Sequence, residues 1–268
     1  MANNDYVHGY SDRENFRLHD QACTLEELLH HDTVYPAGSR ILEAGCGVGA
    51  QTVILAAKSP GARITSVDIS PVAIKQAKSL AASKCITNVE FLTADIFDLP
   101  FPENGFDHIF LCFVLEHLEK PDEALSALKR MLKPGGTLTA IEGDHGSTYF
   151  HPASKGATRA IQCLIDLQRQ AGGDSLIGRR LYPLLRGAGF GQITVSPRMV
   201  YVDSSRPQLV EGFTKKTFTA MVEGIGEQAI STGMIDRASW EKGIADLYRT
   251  AEVDGVFCYT FFKAVARK

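Results

Sequence analysis

No run of apolar residues in the 268-residue sequence is long enough to cross a bilayer, so no integral membrane association is expected. Neither charge is in strong excess. The 28 Lys and Arg residues stand against 31 Asp and Glu residues, for a formal net charge of -3. A nucleic-acid backbone calls for a basic surplus, so no nucleic-acid partner is expected. The opening residues Met1 to Asp5 are polar and lack the charged-then-apolar pattern of an export signal. None of the scattered cysteines (Cys23, Cys46, Cys85, Cys112, Cys163 and Cys258) forms a C-x-x-C pair. That argues against a disulfide framework or a zinc ribbon and predicts small buried thiols, no metal and a cytoplasmic protein. There are no internal repeats, low-complexity tracts or interdomain linkers, so residues 1–268 are expected to form one domain.

What is present is a glycine-rich turn. In Arg40 to Gly49 an apolar run reaches Glu43 and then Gly45-Cys46-Gly47-Val48-Gly49. Gln51 to Lys58 follows with helical character, so the turn joins a buried strand to a helix N-terminus. The glycines let a ligand approach the backbone, and the helix start offers amide donors. Two ligand classes suit such a turn. A dinucleotide fold wants G-x-G-x-x-G and places pyrophosphate on the helix dipole. Here the spacing is G-x-G-x-G, and the preceding Glu43 would repel a pyrophosphate but attract an ammonium or sulfonium group. Further on, the β-branched run Arg63 to Val67 ends in Asp68, about 20 residues past the turn, where an acid can bind ribose hydroxyls. Ser70 followed by Pro71 reads as the cap of the next helix.

Three motifs in register carry a family resemblance: Glu43 to Gly49, Leu99-Pro100-Phe101-Pro102 through Phe106-Asp107 to Val114-Leu115-Glu116-His117-Leu118, and Leu132-Lys133-Pro134-Gly135-Gly136. Together they resemble the class I S-adenosylmethionine (SAM) dependent methyltransferases, in the branch that includes ubiquinone and menaquinone C-methyltransferases and many natural-product enzymes. The resemblance covers residues 40 to about 142. It implies an α/β fold: a Rossmann-like, doubly wound, seven-stranded and mostly parallel sheet with an antiparallel last strand, an N-terminal helical lid and helical insertions. The expected organisation is a lid over 1–38, a SAM-binding core over 39–142, and acceptor-side insertions over 143–177 and 203–236. SAM is the implied cofactor and S-adenosylhomocysteine its product.

The resemblance also implies residue roles. Glu43, Gly45, Cys46, Gly47, Gly49 and Gln51 would surround the amino-acid end of SAM. Asp68 would hold the ribose, with Ile69 beside it. Asp95 would accept from the adenine amine and the Ile96 amide would reach a ring nitrogen. Phe113 and His117 would shape the pocket, and Tyr10 would close on it from an aromatic and basic opening (Tyr6, His8, Tyr10, Arg13, Phe16, Arg17, His19). Thr24 to His30 reads as a short helix capped by Thr24. Phenol, thiol or enol acceptors must lose a proton, and His is the commonest base. His145 follows the fifth strand beside Asp144 and is the expected catalytic residue. The expected partner is a small-molecule acceptor, and the chain is expected to be a monomer or homodimer. A protein side chain or a lipid quinone as acceptor, and a catalytically silent SAM-binding protein, stay open as alternatives.

Overall fold

The computed structural model describes residues 12–268; of residues 12–17 and 19 it describes only the backbone. The expected lid residue Tyr10 lies outside the described residues, as do the side chains of Arg13, Phe16, Arg17 and His19.

The first helix, α1 (Asp12–His30), is longer than the sequence reading allowed. Ala22, Leu25 and Leu29 share one buried face at helical spacing, so the pattern runs through Thr24. Thr24 is therefore an interior residue and not a cap. A regular alternation follows: β1 (Arg40–Ala44), α2 (Ala50–Lys58), β2 (Arg63–Asp68), α3 (Pro71–Ser83), β3 (Val89–Thr93), β4 (Phe106–Cys112), α4 (Pro121–Met131) and β5 (Leu132–His151). Then come α5 (Lys155–Gln170), α6 (Leu181–Gly187), β6 (Gly191–Val202), a π-helical stretch Val210–Thr219, the helix Arg237–Arg249 and β7 (Val256–Arg267).

The seven strands lie in the order β3-β2-β1-β4-β5-β7-β6. β1 pairs in parallel with both β2 and β4, β2 with β3, and β4 with β5. The sheet is mixed, with antiparallel last strands, as the fold class requires. Its central strands are nearly all apolar. Ile41, Leu42 and Ala44 of β1, and Ile109, Phe110 and Leu111 of β4, have no exposed surface, as strands covered on both faces demand. Successive strands are added to one side of β1 up to β3 and to its other side from β4 on, and ligands of open α/β sheets bind outside the carboxyl ends of strands at such a switch.

Local signals set the helix starts. The Ser70 hydroxyl accepts the Ala73 amide at 3.2 Å, with Pro71 at the first helical position. Ser154 and Asp236 cap their helices in the same way. α4 begins with Pro121, Asp122 and Glu123 and ends with Lys129 and Arg130, which matches the helix dipole at both ends.

By its contacts the chain divides into two compact units. One, the core unit, comprises Glu26–Gly143, Ile177–Arg198 and Phe261–Lys268. The other, the accessory unit, contains the described residues up to Leu25 together with Asp144–Leu176 and Met199–Thr260. Both stretches expected as insertions fall mainly in the accessory unit, and the expected SAM-binding core falls in the core unit. Among the described residues no helix is long and apolar enough to cross a membrane. Cys46, Cys112 and Cys163 are buried as expected, whereas Cys23 and Cys85 are exposed.

Candidate functional site

In the core unit the glycine turn sits at the carboxyl end of β1. All three glycines adopt positive φ: 75° at Gly45, 52° at Gly47 and 83° at Gly49. Their surroundings differ. A Cβ on Gly45 would come within 2.6 Å of Val114 Cγ2, and one on Gly49 within 2.9 Å of the Ala77 Cβ. A Cβ on Gly47 would meet nothing within 4 Å. Gly45 and Gly49 thus let elements of the protein close on the turn, and Gly47 alone faces open space.

The amides are arranged otherwise than the sequence suggests. Gly45 and Cys46 donate to the Val67 carbonyl at 2.8 and 2.9 Å, Gly47 donates to Asp68 Oδ2 at 2.8 Å, and Gly49 donates to the Cys46 carbonyl at 2.9 Å. These four amides are engaged within the protein. The turn therefore offers a ligand room and carboxylates more than donors. Asp68 is the link between turn and β2, because its Oδ1 also accepts the Ser70 amide at 2.9 Å. Each oxygen keeps a second lone pair for a further donor.

Glu43 lies beneath the turn, 2% exposed. Its Oε2 accepts from Thr52 Oγ1 at 2.7 Å and from Ser66 Oγ at 2.6 Å. Burial pushes its pKa up to about 7; the two hydroxyls oppose that shift and the Asp68 charge adds to it. A cation brought to this carboxyl would favour its ionised form. Cys46 is buried and its thiol is pushed far up by burial, then by Glu43 and Asp68, so it packs rather than reacts.

Gln51 is half-buried at the start of α2. Its Oε1 meets His30 Nε2 at 2.8 Å, which joins the end of α1 to the start of α2. Burial holds His30 neutral, lowering its pKa to about 4. At the carboxyl end of β2, Ile69 is 65% exposed, an uncovered apolar side chain between Asp68 and Ser70. Beyond β3, Asp95 is exposed and its Oδ1 accepts the Phe97 amide at 2.9 Å, while Ile96 is half-buried next to it.

After β4 the chain makes a strained turn. Phe113 has a φ of 59°, a conformation that side chains bearing a Cβ adopt at a cost of about 1–3 kcal/mol. Leu115–His117 is a single 3-10 turn. His117 is partly exposed, with Nε2 3.5 Å from Glu116 Oε1. Glu142 on β5, which sequence reasoning passed over, is fully buried there and accepts the amides of Val114 and Leu115. An acid directly after the apolar pair Ala140-Ile141 was the available signal.

His145 belongs to the accessory unit. It is 5% exposed and sits within β5, not in a turn after it. Its amide donates to the Ser175 carbonyl at 2.9 Å, and its ring Nδ1 lies 2.8 Å from the Tyr259 hydroxyl. The expected helper Asp144 instead accepts the Gly146 amide at 3.0 Å. Consecutive strand residues point to opposite faces, so Asp144 is poorly placed to orient the neighbouring ring. Phe218 meets His145 edge-on at 6.0 Å, and Phe213, Phe218, Phe257 and Tyr259 pack on one another at 4.8–6.5 Å. Phe213 and Phe218 lie on the π-helical stretch, a geometry frequent at functional sites. Tyr259 had a sequence signal: Phe257, Tyr259 and Phe261 recur at period two, on one face of a strand.

The reversal of strand order, the glycine turn with Glu43 beneath it and Asp68 on the neighbouring strand lie together at the carboxyl ends of the core unit's strands. Residues 42–140 match a family model described as a methyltransferase domain. The chain is 34% identical over 121 residues to a demethylmenaquinone methyltransferase of Thermus thermophilus, covering 45% of this chain and 51% of that protein. It spans about half the length of the curated relatives it matches. Two solved structures cover nearly the whole chain. The [4+2]-cyclase SpnF has a TM-score of 0.53 at 24% identity, over 94% of this chain and 80% of that one. Phosphoethanolamine N-methyltransferase 2 of Haemonchus contortus, in complex with SAM, has a TM-score of 0.55 at 18% identity, over 93% of this chain and 52% of that one. At those identities the structures show the fold alone. Residues 42–140 are therefore similar to a methyltransferase domain, and the sheet is that of Rossmann-like methyltransferase structures.

Proposed function

We propose that this protein transfers a methyl group from SAM to a small-molecule acceptor with an ionisable hydroxyl, thiol or enol. The observation that carries the reading is the glycine turn with Glu43 beneath it and Asp68 tied to the Gly47 amide. The residues fit the cofactor. Gly47 faces open space, Glu43 suits a cationic amino-acid end, Asp68 keeps lone pairs for ribose hydroxyls, and the exposed Ile69 offers apolar cover for adenine. When bound, SAM would supply an electrophilic methyl carbon on a sulfonium.

The chain's own part is positioning and proton handling. Asp68 would fix the ribose through charge-assisted hydrogen bonds. Asp95 and Ile96 would mark the adenine, Phe113 and His117 would shape the pocket wall, and Tyr10 would contribute from the N-terminal segment. His145 would take the acceptor's proton, with Tyr259 fixing its ring at Nδ1. Similarity to demethylmenaquinone methyltransferases and the aromatic packing around His145 favour an acceptor with a flat apolar body.

The test has two stages. Calorimetry should show SAM and S-adenosylhomocysteine binding in the micromolar range and no comparable binding of NADH. Labelled SAM should then pass its methyl group to at least one member of a panel of phenols, quinols, thiols, amines and carbon acids. Tight NADH binding without SAM binding would sink the reading. SAM binding without transfer to any acceptor would favour a silent SAM-binding protein.

A further inference from the structure

Glu142 lies on β5 one residue beyond Ile141, which pairs with Cys112 at the end of β4. Two consecutive β5 residues take three consecutive amides of the turn that follows β4. The Ile141 carbonyl accepts from Phe113 at 2.9 Å, and Glu142 Oε1 accepts from Val114 at 3.0 Å and from Leu115 at 2.8 Å. The turn needs holding, because Phe113 is in the left-handed region at a φ of 59°. It also has a task. Val114 Cγ2 stands 2.6 Å from where a Cβ on Gly45 would be, so the turn forms one wall of the glycine turn.

We propose that Glu142 is a positioning residue of the cofactor crevice, whose buried carboxyl keeps the Phe113–Leu115 turn seated on Gly45. The proposal rests on the reading of the glycine turn as the SAM site. Glu142 has no exposed surface, and its Oε2 has no hydrogen-bond partner among the described residues. Burial, then the neighbouring Glu116, raise its pKa well above the ordinary carboxylate value. Both amides donate to the one oxygen Oε1, so what the turn asks of residue 142 is an accepting oxygen at the right reach. An amide of equal length supplies that oxygen, and a shorter carboxyl does not.

The experiment compares S-adenosylhomocysteine binding by the full chain, by Glu142→Gln and by Glu142→Asp, using calorimetry. The Gln variant should bind within about threefold of wild type, and the Asp variant at least about tenfold more weakly. In turnover assays the Asp variant should raise KM for SAM more than it lowers kcat. Amide exchange on the unmodified protein gives a measure free of folding defects: Val114 and Leu115 should be among the slowly exchanging amides. Fast exchange there, wild-type-like binding by the Asp variant, or a Gln variant as weak as a folded Asp variant would each overturn the proposal. Wild-type protein that binds no S-adenosylhomocysteine would overturn the SAM reading itself, and the proposal with it.

Discussion

The core unit and the accessory unit solve different problems with different materials. The crevice of the core unit is made of glycines at positive φ and of acids (Glu43, Asp68, Glu142) tied to backbone amides or hydroxyls. Around His145 the accessory unit uses aromatic rings, one phenol and a π-helical stretch. On the proposed function, the first arrangement would hold a ligand of fixed shape and charge, for which backbone geometry can be set once. The second would take an apolar body bearing a single ionisable group, with His145 as the base. The two should therefore fail differently when altered: the core unit in affinity for SAM, the accessory unit in turnover.

The sharpest separation is expected at His145. His145→Ala should lower turnover by about a hundredfold or more, the usual scale of losing a general base, with SAM affinity unchanged within a few-fold. An acceptor already ionised at assay pH should be much less affected. If turnover is normal in His145→Ala while His117→Ala removes only the chemical step, the two histidines have been assigned the wrong way round. Asp68→Ala should show the opposite profile. It removes acceptors for the Gly47 and Ser70 amides as well as for a ribose, with hydrogen bonds to charged groups worth about 1.5–3 kcal/mol each. SAM affinity should fall at least about tenfold while the fold persists; an unchanged dissociation constant would remove Asp68 from the site.

The pH response sharpens the comparison further. Glu43 titrates near 7 in the folded chain against an ordinary value of 4.5, so folding favours its protonated form. That contribution to stability is fully present below pH 4.5 and is lost as pH rises from 4.5 to 7. Cation binding needs the ionised form. SAM affinity should therefore rise as pH approaches 7, by up to about tenfold per unit, and level off above it. Glu43→Gln should abolish this dependence in calorimetric titrations, and a slope that survives the substitution would show another group to be responsible. Tyr259→Phe should reduce turnover by about threefold to tenfold, the worth of one neutral hydrogen bond, and shift the pH–rate profile of kcat/KM without altering SAM affinity. The smallest effect is structural: Ser70→Ala should cost about 1 kcal/mol of stability through the lost cap of α3, read as a lower melting temperature.

The features legible in advance share one property: the residues that act together are close in the chain. Glu43 to Gly49 is a single strand-turn-helix, Ser70-Pro71 caps its own helix, and the β-branched run Arg63 to Val67 reads as a strand. The glycine spacing predicted the turn, yet not that Gly45 makes room for Val114 or that Gly49 makes room for Ala77, because those neighbours come from β4's exit and from α3. Amide donors were expected for the ligand, but the Val67 carbonyl and Asp68 already hold three of them. Thr24 looked like a cap because sequence alone could not show that Ala22, ahead of it, shares a buried face with Leu25 and Leu29.

By itself, then, the sequence determined the alternation of strands and helices and the strand-turn-helix that carries Glu43 and the three glycines, since backbone conformation and helix capping depend on neighbours within a few residues. Tertiary structure alone decided which groups are perturbed and paired. Gln51 met His30 across 21 positions, Val114 met Glu142 across 28, and His145 met Tyr259 across 114. Burial raised Glu43 and Glu142 out of the ordinary carboxylate range because strands distant in sequence close over them. Desolvation and hydrogen-bond partnership are properties of what surrounds a group in space, and no local pattern encodes them.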